Sequence, residues 1–348
     1  MGEEKRRFSS GIWQVAAALL VAIAIAAVTI LGLKTRIGDT PAGKPNDSNG
    51  LSATGAIAPR IVSLLPSATD ILIGMGCRNH LAAVSNADAD PQVIGLPRVG
   101  DYERTDWEQI AQLHPQVIVT HYSPTRVPAG FIQHLNQIGA QQLNLQTETL
   151  DGPDKAATIY DAIDALGKAC NEPAKAAQAS ANLRGRIKAV RRRVAGKGPV
   201  AALIVIGPEG SMVAGRDTFL SELLAIAGGQ NAAGSLAARY PSIDREQILA
   251  FRPQVVLQLL PNASPQVQEQ ARQFWRQFPD LPALNDGRVI QLTDWYVMLA
   301  GCHAADTAER FADALHPTDR GVRAPAQIKL STAGAAKACP TSKYPGFP

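Results

Sequence analysis

Apolar residues recur along this chain in two rhythms. Ile61-Val62-Ser63-Leu64-Leu65, Leu81 to Ser85, Val117-Ile118-Val119, Ala201 to Ile206, Val255-Val256-Leu257 and Arg288-Val289-Ile290-Gln291-Leu292 read as strands. Most of them are continuous and rich in β-branched residues, as strands covered on both faces are. Between them the apolar positions take helical spacing, as in Ile110 with Leu113 and Ile248 with Phe251. Pro66-Ser67-Ala68-Thr69-Asp70 opens a helix with Ser67 as the expected N-cap, and that helix ends near Gly74-Met75-Gly76. Gly215 to Leu220 opens another that ends at Gly228-Gly229, and Thr307 to Leu315 predicts a closing helix. Helices feeding parallel strands predict an α/β fold.

One stretch occurs twice. Thr105 to Val119 reappears 138 positions later as Ile243 to Leu257, with seven identities: Asp106/Asp244, Glu108/Glu246, Gln109/Gln247, Ile110/Ile248, Pro115/Pro253, Gln116/Gln254 and Val117/Val255. The Asp is an N-cap, the Glu sits in the first turn where the helix dipole favours it, and the proline stops the helix before the strand. A tyrosine precedes each shared glutamate by six residues, Tyr102 and Tyr240. A repeat this widely spaced means two similar lobes, since a solenoid repeats every 20–50 residues or so. Two lobes leave a cleft, a common place for a ligand.

The boundaries follow. Residues 1–11 form a short basic segment through Lys5, Arg6 and Arg7, and 12–33 form a charge-free run of 22 residues. At 1.5 Å per residue that run is about 33 Å long, enough to cross a bilayer core. It is read as an uncleaved transmembrane anchor with the basic end inside; the competing reading is a cleaved signal peptide, whose apolar region is usually about 7–15 residues. Residues 34–58 are a Gly/Pro/Asn/Ser-rich linker, 59–150 the first lobe, 151–194 a helical connector broken at Asn171-Glu172-Pro173, 195–317 the second lobe, and 318–348 a tail without apolar period.

Composition narrows the function classes. The chain of 348 residues is 46% hydrophobic and 5% aromatic, with a net charge of +4. No basic block interleaved with aromatics points to nucleic acid, and the run Arg184 to Arg193 reads as a solvated helix face. The four cysteines, Cys77, Cys170, Cys302 and Cys339, make no C-x-x-C pair. Outside the cytoplasm Cys77 and Cys170 are candidates for a disulfide; the other reading is two separate thiols. The chain contains no G-x-S-x-G, H-E-x-x-H or P-loop motif, which argues against an enzyme. Of six histidines only His121 and His303 fall near strand ends by the cleft, fewer than a zinc or manganese binder needs.

Arg60 to Leu64 with Pro66 to Asp70, the two Glu-Gln-Ile helices, Ala214 to Phe219, Gly228-Gly229-Gln230-Asn231 and Asp294-Trp295 together resemble the periplasmic substrate-binding proteins for cobalamin, ferric siderophores and haem, with the nearest likeness to the cobalamin binders. The resemblance spans Pro59 to Leu315. It implies two α/β lobes with parallel-type sheets joined by a long helix, a class III periplasmic binding protein, with the ligand between the lobes. It also implies an ABC importer permease and its ATPase as partners; soluble shuttling is that family's usual mode, and it is the charge-free run 12–33 that places this chain in the inner membrane with its bulk outside. No cofactor is implied beyond the transported ligand. Glu108 and Glu246 match the two glutamates that dock on the permease. The expected ligand-binding residues are Tyr102, His121, Tyr122, Arg216, Tyr240, Asp294, Trp295, Tyr296, Val297 and Met298. Tyr102 and Tyr240 stand where the cobalamin binders carry tryptophans, and Ala87 where they carry a ring-binding tyrosine. Arg216 could meet an anionic siderophore, with Arg104 and Arg239 as weaker candidates. A sensor that kept the fold and lost transport is the remaining alternative.

Overall fold

The computed structural model describes residues 58–101, 104–122, 127–150 and 158–317. The expected segments 1–11 and 12–33, nearly all of the linker, and the tail 318–348 lie outside these residues. Among the described residues no helix is long and apolar enough to cross a membrane.

The first lobe is built on β1 (Ile61–Ser63), β2 (Leu81–Val84), β3 (Val117–Thr120) and β4 (Gln141–Asn144), in spatial order β2-β1-β3-β4, all parallel. Its helices are α1 (Pro66–Gly74), α2 (Trp107–Leu113) and α3 (Phe131–Ile138). The connector is two helices, α4 (Ile159–Ala169) and α5 (Pro173–Val194). They meet where the sequence places its break: Asn171 takes a left-handed φ of 58°, and Pro173 starts α5.

The second lobe has β5 (Val200–Ile206), β6 (Met212–Val213), α6 (Phe219–Ile226), β7 (Gly229–Asn231), α7 (Arg245–Phe251), β8 (Val255–Leu259), α8 (Pro265–Trp275), α9 (Pro282–Asn285), β9 (Val289–Leu292) and α10 (Ala304–Leu315). The order is β6-β5-β8-β9, with β7 on β5. All pairs are parallel except the short edge strand β6, which runs antiparallel to β5.

Strand alternation divides the core. In β1, Ile61 joins one cluster and Val62 the other; in β8, Val255 and Leu257 part from Val256 in the same way. Both strand faces are thus covered, which is why these strands read as unbroken apolar runs. The outer faces carry lobe-specific cores: Val62, Ile118 and Phe131 in the first, and Leu203, Val256 and Trp275 in the second. The inner cluster runs through both lobes, from Ile61 and Leu72 through Ile163 and Leu183 of the connector to Leu224, Leu257 and Phe311. The connector is therefore embedded in a shared core. Its basic stretch is also engaged. Arg186 holds Asp306 at 2.8 Å and Glu309 at 3.0 Å on α10, Arg193 holds Asp313 at 3.0 Å, and Arg184 lies 3.6 Å over the Tyr160 ring. Lys188, Arg191 and Arg192 stay exposed, as a solvated face requires, while Arg184, Arg186 and Arg193 also clamp α5 to its neighbours.

One cap differs from expectation. Pro66 occupies the first helical position of α1, so the cap falls on Leu65 and Ser67 is inside the helix. A proline fits there because it has no N–H to leave unpaired. The Ser67 hydroxyl instead lies 3.5 Å from that of Thr147.

Candidate functional site

The two copies of the repeat occupy equivalent places, α2 leading to β3 beside β1 and α7 leading to β8 beside β5. Most shared residues do the same structural work twice. Asp106 accepts from the Gln109 backbone at 3.0 Å and Asp244 from that of Gln247 at 2.8 Å. Ile110 and Ile248 are buried, as are Pro115 and Pro253. The side-chain oxygen of Gln116 accepts the Arg60 N–H at 2.6 Å, and that of Gln254 accepts the Ala201 N–H at 2.9 Å. Each glutamine therefore satisfies a backbone donor at the head of the neighbouring strand. Glu108 and Glu246 differ. Both are exposed in the first helical turn, and among the described residues neither has a hydrogen bond or salt bridge.

A cavity of about 260 Å³ opens between the lobes at the carboxyl ends of the strands. This is where open parallel sheets place ligands. The first lobe supplies the turn from β1 into α1, His121 after β3, and Thr147 and Glu148 after β4; the second supplies Asp217 to Phe219 at the head of α6, Arg239, Tyr240, and Met298 to Ala300 after β9. Glu148 and Arg239 form an ion pair from one lobe to the other. The Nδ1 of His121 lies 2.8 Å from the Leu145 carbonyl. A carbonyl only accepts, so Nδ1 carries the proton and the lone pair of the neutral ring falls on Nε2. That Nε2 is 3.8 Å from Glu148 Oε1. Tyr240 is 44% exposed overall, yet desolvation pushes its phenol above the ordinary value, with Arg239 pulling it back.

Beside the cavity a second contact joins the lobes. The Asp70 carboxylate on α1, fully buried, accepts the His303 backbone N–H at 3.1 Å and also holds His303 Nδ1. Gly301 permits the approach, since a Cβ there would collide with the carboxylate. The His303 ring stacks on Tyr296 at 4.8 Å and meets Trp295 edge-on at 4.9 Å. Burial alone would lower the His303 pKa, but the hydrogen bond and charge of Asp70, with Asp306 and Asp90 farther off, raise it on balance.

The structure brings His121, Tyr240 and Met298 of the expected residues to the cavity. Tyr122 is 4% exposed and packs edge-on against Phe131, because neighbouring positions at a strand end point to opposite sides. Val297, in the turn that follows β9, is buried in the shared core. Asp294 pairs with Arg310 at 3.1 Å, and Trp295 and Tyr296 are taken up by His303; none of the three lines the cavity. Desolvation raises the Tyr296 phenol while Arg310 lowers it. Arg216 points away, 56% exposed beside Asp217, and it is Asp217 that lines the cavity. Tyr102 lies outside the described residues. Sequence reasoning missed Thr147, Glu148, Asp217, Thr218 and Phe219, and ranked Arg239 low. A signal existed for Thr218, which caps α6 by accepting from Ser221 N at 3.1 Å. The wall is thus mainly aliphatic, with Phe219 and Tyr240 its aromatic members and Glu148, Arg239 and Asp217 its charged ones, where an aromatic cleft is expected. Among the described residues no three metal-ligating side chains converge at the cavity.

A family model described as periplasmic binding protein matches residues 61–296. A vitamin B12-binding protein of Vibrio cholerae is 30% identical over 200 residues, covering 57% of this chain and 70% of the relative. The crystal structure of the periplasmic vitamin B12-binding protein of Vibrio cholerae superposes with a TM-score of 0.61 at 27% identity, covering 74% of this chain and 96% of that one. A periplasmic haem-binding protein of Pseudomonas aeruginosa shares the fold, with a TM-score of 0.66 at 22% identity over 79% of this chain and all of that one (100%).

Proposed function

The chain belongs to the periplasmic binding protein family, and on that premise we propose that it is the substrate-binding component of an ABC importer. It takes a corrinoid such as cobalamin, or a similar large iron chelate, between its lobes and delivers it to the permease. The observation that carries this reading is the cavity itself, which neither lobe makes alone. A cavity of 260 Å³ is below the roughly 300–1,000 Å³ of sites for drug-sized ligands, so a macrocycle enters by parting Glu148 from Arg239. Haem is a second reading, favoured by His121. Its Nδ1 is fixed on a carbonyl, which leaves Nε2 to reach a metal, as second-shell hydrogen bonds do for ligating histidines.

Glu108 and Glu246 seat on cationic sites of the permease. Their exposure without partners supports this, because the other shared residues of the repeat have structural roles and these two contribute only about 0.3–1 kcal/mol to the helix dipole. Residues 12–33 hold the chain in the inner membrane as a single-pass anchor, with the lobes outside; the charge-free run and the basic Lys5-Arg6-Arg7 support that orientation. Tethering keeps the effective concentration at the permease high. The chain acts by binding, not catalysis, in keeping with its lack of nucleophile and metalloprotease motifs.

The test is titration of the full-length chain in detergent with cyanocobalamin, cobinamide, haemin and a ferric hydroxamate siderophore, followed by tryptophan fluorescence. Saturable quenching by one of them is expected, and silence to all four would leave the importer reading without a substrate. For docking, Glu108→Lys with Glu246→Lys abolishes capture by the permease in vesicles; undiminished capture would remove the docking role.

A further inference from the structure

Away from the cavity, Cys77, Cys170 and His80 come together in the shared core. Each offers a ligand atom within 4.8 Å of the others, and the three are 0%, 2% and 3% exposed. Cys77 follows α1 and precedes a short turn, Arg78–His80; its N–H bonds back to Leu72 at 2.7 Å. Cys170 caps α4, with its N–H on Leu166 at 2.9 Å, at the elbow where α4 meets α5. Helices α1 and α4 pack directly, which brings the two sulfurs within 4.8 Å of each other. His80 is anchored by its Nδ1, 3.0 Å from the Pro59 carbonyl.

We propose that Cys77 and Cys170 form a disulfide in the exported protein, pinning the first lobe to the elbow of the connector. This rests on the export reading above. A disulfide S–S distance is about 2.05 Å, so the sulfurs need to close by less than about 3 Å. A zinc site fits the same atoms less well, because structural zinc takes four ligands and, among the described residues, no fourth ligating side chain joins the group. The bond spans a long loop and constrains the unfolded chain accordingly. Its chemistry is thiol–disulfide exchange with a disulfide co-reactant, a protein oxidant or oxidised glutathione. One cysteine thiolate attacks the co-reactant, whose S–S bond breaks to give a mixed disulfide. The second cysteine thiolate then displaces the remaining thiol. The cysteine sulfurs are oxidised by two electrons, and the two protons they lose end on the two released thiols. Burial, then the neighbouring Cys77 sulfur, pushes the Cys170 thiol up to about 12, so the folded dithiol holds little thiolate. The bond therefore forms as the chain folds, and afterwards the closed core shields it from reductant.

The experiment uses the full-length chain, made in a host that exports it and extracted in detergent. It is denatured without reductant, alkylated and digested. Expected is a Cys77–Cys170 linked peptide, about 2 Da below the two free peptides, with Cys302 alkylated. The oxidised protein melts roughly 4–16 °C above the Cys77→Ala/Cys170→Ala variant, and reduction in denaturant followed by refolding removes that gain. Alkylation of both cysteines, or their release together with one equivalent of zinc, overturns the proposal. Protease access in spheroplasts tests export separately. Should the lobes prove cytoplasmic, export fails, and the chain unfolded and refolded in oxidised glutathione must still form this bond; if it does not, the disulfide fails as well.

Discussion

Replacing His303 by alanine removes one half of the contact that joins α1 to the segment before α10. Asp70 is fully buried and the His303 side chain 29% exposed, so the variant leaves a desolvated carboxylate with one backbone donor. Breaking a buried pair from one side costs about 3–5 kcal/mol, and a hydrogen bond to a charged group about 1.5–3 kcal/mol. The partial exposure of His303 moves the expectation to the low end, about 3 kcal/mol, part of it from lost stacking on Tyr296. At this chain size that is a drop of roughly 6–12 °C in Tm. The pH dependence carries the sharper test. The folded-state pKa of His303 is raised above its unfolded value, so its ionic contribution is fully present below about 6.5 and is lost as pH rises through the folded value. Urea titrations of wild type and His303→Ala from pH 5.5 to 9 therefore converge toward high pH, leaving about 1 kcal/mol for the neutral hydrogen bond. His303→Asn keeps a donor without the charge, so at low pH it loses less than alanine does, and its advantage over His303→Ala does not change with pH. A stability difference that is flat across this range, or below about 0.5 kcal/mol throughout, would refute the ionic role.

Three further outcomes follow from the geometry. Arg239→Gln removes a partly exposed ion pair worth at most about 1 kcal/mol, so Tm barely moves, while a ligand that must open the cleft binds up to about fivefold tighter. Weaker binding in the same titration would mean that Arg239 touches the ligand instead. Gln116→Ala and Gln254→Ala each leave a strand-head N–H without its partner and cost about 0.5–1 kcal/mol in chemical denaturation, with unequal costs counting against the duplicated role. Trp275→Phe leaves the buried Gln258 side-chain oxygen without the indole donor now 3.0 Å away, and it also opens space in the second lobe. That combination costs about 2–4 kcal/mol by urea denaturation, and a loss under 1 kcal/mol would show that the glutamine finds another donor.

The parts of this molecule legible in its sequence are those where one residue type answers one local need. Asp106 and Asp244 cap helices, Pro115 and Pro253 stop them, and doubly buried strands spell themselves as β-branched runs. The repeat showed two lobes because the same needs recur in each. What stayed hidden depends on direction in space. His121 and Tyr122 were equal candidates on type, yet adjacent positions at a strand end diverge, and the hydrogen bond to Leu145 holds the histidine toward the cavity while the tyrosine meets Phe131. Trp295 read as a ligand platform and is committed to His303, whose partner Asp70 is 233 residues away; no local pattern encodes that separation. Glu148 follows the half-polar strand Gln141–Asn144, where nothing marks it. Its role comes from Arg239 in the other lobe and from His121, 27 residues earlier in its own. In a two-lobed binder the site is a property of the closure between halves, so a sequence reveals each wall before it reveals which side chains meet.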